Sequence, residues 1–260
     1  MPKKDKSEYI IQAVSHALDL LEQFHDDIDE LGVTELSKRL KLHKNNVFRL
    51  LATLESRGYI EQNKATENYR LGLKSLELGQ TFIKQMGLLR QAKPILDQIA
   101  AACNETSYVA IFKDGHSVYL DVVETDLTVR VVSRVGSRLP AYATASGKVH
   151  LAHMSSEELL EMFPDEKLPT YTPTSITTRE ELFRELAKIA EQGYALDNEE
   201  LDAGVRCIAA PIRDYTRRIV GAISISGPAM RMSQERMENE LTPLAIKAAD
   251  DLSTRLGYNA

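Results

Sequence analysis

The chain has 260 residues, 43% of them hydrophobic and 27% charged, with a formal net charge of −6. That is enough for one large domain or two of ordinary size, with apolar material for a core and too little charge imbalance for disorder. Two cysteines (Cys103 and Cys207) exclude a disulfide framework, the start MPKKDKSE has no signal-peptide core, and no apolar run is long enough to span a membrane, so the expected compartment is a reducing cytoplasm.

Positions 10–24 predict an amphipathic helix, with Ile11, Val14, Leu18 and Leu21 on one side. Residues 33–58, VTELSKRLKLHKNNVFRLLATLESRG, read as two short helices across a turn. Val33, Leu36 and Leu40 line the first, and Leu42 closes the turn. Val47, Leu50, Leu51 and Leu54 give the second its apolar stripe. The opposite face of that second helix carries Asn45, Arg49, Ala52, Thr53 and Ser56, with Asn46 on the flank. No acid occurs between Glu35 and Glu55, whereas Lys38, Arg39, Lys41, Lys44 and Arg49 all fall in that gap. An acid-free, basic, amphipathic helix pair is what a phosphate surface requires. The overall acidity does not oppose this. Twelve basic and twelve acidic residues share the first 75 positions, and the acids crowd at Asp26, Asp27, Asp29 and Glu30.

Two alternating segments, 59–62 and 68–71, then predict a hairpin with Asn63 and Lys64 at its tip. Three helices and a hairpin make a winged helix-turn-helix over 1–72. Positions 73–90 predict a linker helix with Leu76, Phe82, Ile83, Met86 and Leu89 available for burial, and Pro94 opens a helix over 94–104. Strands are expected at 106–112, 117–124, 129–133, 195–198, 205–213 and 219–226. Helices are expected at 143–154, 157–163, 178–192 and 234–256. Strands in two groups of three, flanked by helices, imply an α+β domain around one sheet over 91–260.

Five segments occur in this order: VTELSKRLKLHKNNVFRLLATLESRGYI, YRLGLKSLELG, VSRVGSRLPAYATASGKVHLA, GYALDNEELDAGVRCIAAPI and GAISISGPAMRMS. On these motifs the chain resembles the IclR family of bacterial transcriptional regulators over essentially its whole length. The resemblance implies a winged helix-turn-helix, a linker helix and a GAF-like effector-binding domain. It also implies binding to double-stranded operator DNA as a dimer or tetramer, a small organic or aromatic acid as effector, no cofactor, and repression, with activation as the alternative. One departure is Asn45-Asn46, where family members often carry Ser-Thr. Asparagine donates to and accepts from adenine edges, so the change bears on operator sequence rather than on DNA binding.

In this reading Lys44, Asn45, Asn46 and Arg49 approach the major groove, while Lys38, Lys41 and Lys64 touch phosphates. The positions resembling the family's effector pocket are Ala145, Ser146, Asp197, Cys207, Ser224 and Ser226. Ser224 and Ser226 share one face of a strand. Asp197 could instead stabilise the turn in LDNEELDAG, and Cys207 could be an inert buried thiol. Val129, Val131, Leu139 and Tyr142 fit either the pocket mouth or the core. The run AYATASGKVHLA fails as a phosphate loop, since Tyr142 and Val149 stand where Gly and Ser or Thr are needed. Its small residues, Ala143, Ala145 and Gly147, either expose amides to a carboxylate or let a helix pack close. The rival class is an enzyme with Cys207 as nucleophile and His150 or His153 as base. A mid-strand position in CIAAPI argues against it, and the two histidines lack a third metal ligand.

Overall fold

A computed structural model describes residues 10–25, 28–85, 87–132 and 135–259. The chain divides into two compact units, with the boundary between Gln85 and Met86.

The first unit contains α1 (Gln12–Leu21), α2 (Val33–Leu40), α3 (Lys44–Ser56), the hairpin β1 (Ile60–Gln62) and β2 (Tyr69–Leu71), and α4 (Leu73–Gln85). α2 ends at Lys41, whose left-handed φ of 54° turns the chain, and Leu42 N then donates back to Ser37 O. The turn sets α3 against α2 over a core of Leu20, Leu36, Val47, Leu51, Leu54, Ile60 and Tyr69. The predicted helical periods of α2 and α3 and the predicted hairpin are all present. α1 differs in what its stripe does. Leu20 is fully buried, but Ile11, Val14 and Leu18 are 68%, 53% and 55% exposed. The core takes the neighbouring face (Ala17, Leu20 and Phe24) together with Leu21, so of the predicted stripe Ile11, Val14 and Leu18 stay exposed.

The second unit is built on a six-stranded antiparallel sheet of order β5-β4-β3-β8-β7-β6. The strands are β3 (Thr106–Lys113), β4 (His116–Val123), β5 (Arg138–Pro140), β6 (Ala195–Asn198), β7 (Val205–Arg213) and β8 (Ile219–Pro228). One face, with Val109, Ile208, Ile212, Ile223 and Ile225, packs on α5 (Gly87–Cys103) and on the closing helix. The other face presents smaller residues (Ala195, Ala209 and Ala222) to α6 (Ala145–Leu151), α7 (Ser156–Met162) and α8 (Arg179–Gln192). The closing helix, α9 (Thr242–Arg255), follows two short helical turns. Burial on both faces explains why β7 and β8 read as nearly continuous apolar runs.

Three expectations shift. The helix expected to open at Pro94 is already helical from Gly87, so Pro94 lies inside α5, and Leu88 and Leu89 enter the sheet core. Met86 and the side chains of Phe82 and Ile83 lie outside the described residues. The strand expected at 129–133 is irregular through Val132, because the edge of β4 is taken by β5, and Ser133 lies outside the described residues. The helix expected from 143 begins at Ala145 after a 3₁₀ turn, Ala141–Ala143. There Gly147 packs so close that a Cβ would stand 2.3 Å from the Ala141 backbone, which accounts for its small side chain.

Candidate functional site

On α3, Val47 and Leu51 are fully buried, while Lys44, Asn45, Asn46 and Arg49 are exposed on the other sides. Lys38, Lys41 and Lys64 are exposed as well. Arg39 is held by Glu35 at 2.9 Å, but no acid among the described residues holds any of the other seven. They are therefore available to an anionic surface. A cleft of about 530 Å³ between α1 and α3 is lined by Asn46, Arg49 and Thr53 on one side and Val14 and His16 on the other. Sequence reasoning missed Phe48, which is 56% exposed on the outer side of α3. An apolar ring among polar neighbours suits a thymine methyl. The signal was present, since Phe48 falls off the buried stripe.

The wing is pinned from below. Glu30 accepts from Asn63 Nδ2 at 2.6 Å and from Thr66 Oγ1 at 2.7 Å. These bonds hold its carboxyl below the usual range. Asn63 is thus a staple, leaving Lys64 exposed in the turn. Asp26 and Asp27 lie outside the described residues.

In the second unit, strand register aligns four polar side chains directly across the sheet: Asp197, Cys207, Ser226 and Thr106. Two residues along, the next row on the same face is Ala209, Ser224 and Tyr108. Ser226 Oγ donates to Cys207 Sγ at 3.0 Å. Beside the first row lies a narrow cleft of about 20 Å³, walled by Asp197, Cys207, Ser226, Tyr108, Tyr119 and Thr144, with Val131 and Leu139 also touching it. Thr144 caps α6 by accepting from Gly147 N at 3.2 Å. Ser146 Oγ lies 2.7 Å from Ser117 Oγ and donates to Tyr119 OH at 3.3 Å, so a chain of hydroxyls runs beside the wall. Ala145 is buried in the apolar cluster beneath α6 rather than in the wall. Ser224 Oγ is buried with no hydrogen-bond partner among the described residues. Such orphaned hydroxyls are rare and cost about 1–3 kcal/mol.

Asp197 is 4% exposed and accepts from Glu200 N at 2.8 Å. Burial pushes its carboxyl up to about 7, with the negative charge of Glu200 adding to the effect. Behind it, Lys148 Nζ, fully buried, donates to both Glu200 carboxylate oxygens at 2.6 and 2.8 Å. Sequence reasoning did not find this pair. Its members lie far apart in the chain, and lysine is ordinarily a surface residue. At the mouth, Val131 and Leu139 touch this cleft, but Tyr142 does not: its hydroxyl donates to Pro169 O at 2.7 Å. Val129 is exposed, with its carbonyl held by Arg231 Nη1 at 2.8 Å.

The enzyme alternative loses its geometry. His153 is bonded to Arg213 at 3.0 Å, and His150 stacks on Phe112 with ring centroids 5.8 Å apart. Arg213 is six residues along β7 from Cys207, a strand length of roughly 20 Å. The thiol and the imidazoles therefore sit at opposite ends of that strand.

The model of the bacterial transcriptional regulator IclR C-terminal domain matches residues 80–254, and that of the IclR helix-turn-helix domain matches residues 13–64. The HTH-type transcriptional regulator XynR of Escherichia coli (strain K12) is 37% identical, over 96% of this chain and 99% of its own. The transcriptional repressor IclR of the same strain is 30% identical, over 95% of this chain and 90% of its own. The crystal structure of the Thermotoga maritima IclR matches with a TM-score of 0.78 at 31% identity, covering 95% of this chain and 99% of that one. With both units matched in order and relatives similar from end to end, the chain belongs to the IclR family of bacterial transcriptional regulators.

Proposed function

We propose that the protein is a cytoplasmic repressor that binds operator DNA through α3 and is regulated by a small organic acid bound beside Asp197. We divide it into a DNA-binding domain over 1–72, a linker over 73–90 and an effector-binding domain over 91–260. Lys44, Asn45, Asn46 and Arg49 enter the major groove, and Lys38, Lys41 and Lys64 engage phosphates. Their exposure and lack of acidic partners among the described residues support these roles. No helix among the described residues is long and apolar enough to cross a membrane.

The observation that carries the effector reading is the unpartnered Ser224 hydroxyl, buried one register row from Asp197, Cys207 and Ser226. A ligand carboxylate would accept from Ser224 and from Asp197, whose raised affinity for its proton keeps it a donor near neutrality. Ser146 contributes from the first turn of α6 through its bond to Tyr119, which lines the space, while Ala145 packs beneath it. The exposed apolar residues Ile11, Val14 and Leu18 on α1, with Leu73, Leu76 and Leu78 on α4, support self-association through the N-terminal unit. A dimer so formed would present two recognition helices to a two-fold operator.

The test begins with DNA fragments selected from a genomic library by the purified protein. Keto, sugar and aromatic acids are then screened for stabilisation of the protein, and each binder is titrated against the DNA complex. The expected result is an acid that releases the DNA in the wild type and has no effect on the Ser224→Ala/Ser226→Ala variant. If no acid that binds the protein alters DNA affinity, the proposal fails, because an effector acts only through unequal affinity for two states.

A further inference from the structure

At the opposite end of β7 from Cys207, a cleft of about 560 Å³ gathers Arg213, Arg217 and Arg218 over an apolar floor that includes Phe112 and Val220. The acids nearby are already engaged. Asp214 accepts from the amide and hydroxyl of Thr216 within its own turn, although its charge still feels Arg218. Glu158, on the rim, accepts from the amide and hydroxyl of Ser155, each at 2.8 Å, in the cap of α7. Neither Arg217 nor Arg218 has an ion-pair partner among the described residues, and both are exposed.

Arg213 is aimed rather than loose. Its Nη1 donates to Arg217 O at 3.3 Å, and its Nη2 meets His153 Nε2 at 3.0 Å. His153 Nδ1 must donate to the Val149 carbonyl, 3.0 Å away, so its Nε2 can only accept. The imidazole is therefore neutral and orients a guanidinium without adding charge. Burial lowers the proton affinity of His153, in agreement with that assignment. Arg217 holds a left-handed φ of 65°, a position that ordinarily favours glycine or asparagine. Three guanidiniums exceed what a single carboxylate can satisfy and match the oxygens of a dianionic phosphate. The Phe112 ring, stacked on His150, offers a flat apolar surface alongside.

We propose that this cleft is a second ligand site, separate from the polar row at Asp197, and that it takes a phosphate monoester with a compact apolar body. Phenyl phosphate is the probe, with inorganic phosphate as its truncated form. The full chain is treated with phenylglyoxal, which modifies accessible arginines, and the products are mapped by peptide mass. Phenyl phosphate should slow modification of Arg217 and Arg218 several-fold and leave Arg184, exposed on α8, unchanged. Inorganic phosphate should protect the same pair only at higher concentration. Uniform rates at all three arginines, with or without phenyl phosphate, overturn the site. Equal protection by the two probes overturns the apolar part of its specificity. In thermal melts at constant ionic strength, Arg217→Ala/Arg218→Ala should abolish the stabilisation by phenyl phosphate, whereas Asp197→Asn should retain it. A stabilisation that survives the double substitution overturns the proposal. So does a double variant that changes oligomeric state while phenyl phosphate protects nothing, since the arginines would then face another chain.

Discussion

Asp197 and His150 are both buried, yet they pull stability in opposite directions as pH changes. Burial, with Glu200 adding, holds the Asp197 carboxyl up to about 7, whereas an unfolded aspartate titrates at about 4. Between those values the folded state binds the extra proton, so stability is lost as pH rises through them. His150 is lowered to about 4 by burial, with His153 adding to the shift. Its contribution is complete above the unfolded value of about 6.5 and is lost as pH falls toward the folded one. Each group masks the other in the wild type. Asp197→Asn separates them, because it keeps an acceptor for the Glu200 amide but cannot ionise. Its stability relative to wild type should rise by roughly 2 kcal/mol between about pH 5.5 and pH 8. Urea unfolding at both pH values measures this, and a constant difference would mean that Asp197 ionises like an exposed carboxylate. Ser224 and Ser226 were legible in the sequence because a strand repeats every two residues and the motif is distinctive. Ser117, Lys148 and Glu200 were not, because each acquires its role from a partner distant in the chain. The lysine of ATASGKV turns out to neutralise a buried glutamate.

Periodicity identifies a helix's apolar face but not what covers it, and α1 illustrates the difference. Its stripe was visible in the sequence, while the core closed on the adjacent face around Leu20 and Phe24. The segment near Val131 failed differently. Its β-branched composition was clear, but which segment would pair with β4 was decided by the neighbouring Arg138–Pro140. For α2, α3 and the wing, local pattern and packing agree, so these elements were read correctly. The roles proposed for their basic residues separate experimentally. Replacing Lys38, Lys41 or Lys64 by Ala should each lower the slope of log affinity against log salt by about 0.9, equally on operator and unrelated DNA. Arg49→Ala should cost about 1–3 kcal/mol on the operator and much less on unrelated DNA. Fluorescence anisotropy at several salt concentrations distinguishes the two classes. If Arg49→Ala weakens both duplexes equally, Arg49 contacts phosphate and reads no base.

At the scale of the whole molecule, the order of the five motifs made the two-part organisation readable, whereas the surfaces left uncovered became visible only after folding. The α1 row is the clearest of these. Val14→Glu together with Leu18→Glu leaves the buried Leu20 untouched, so the first unit should keep its fold. Burying the new charges at the proposed subunit contact should cost about 3 kcal/mol or more, roughly a hundredfold in the association constant. Sedimentation equilibrium should then show dissociation at concentrations where the wild type is assembled, with operator binding weakened in parallel. Unchanged assembly would exclude α1 from the subunit contact.

The space beside Asp197 is about 20 Å³, close to the room needed by one water molecule. For the acid proposed to bind there, with several heavy atoms, the cleft has to widen, and that work is subtracted from its intrinsic grip. Every 1.4 kcal/mol so spent raises the half-response concentration tenfold. A regulator whose proposed effector cleft is this narrow at rest should answer only when the compound is plentiful.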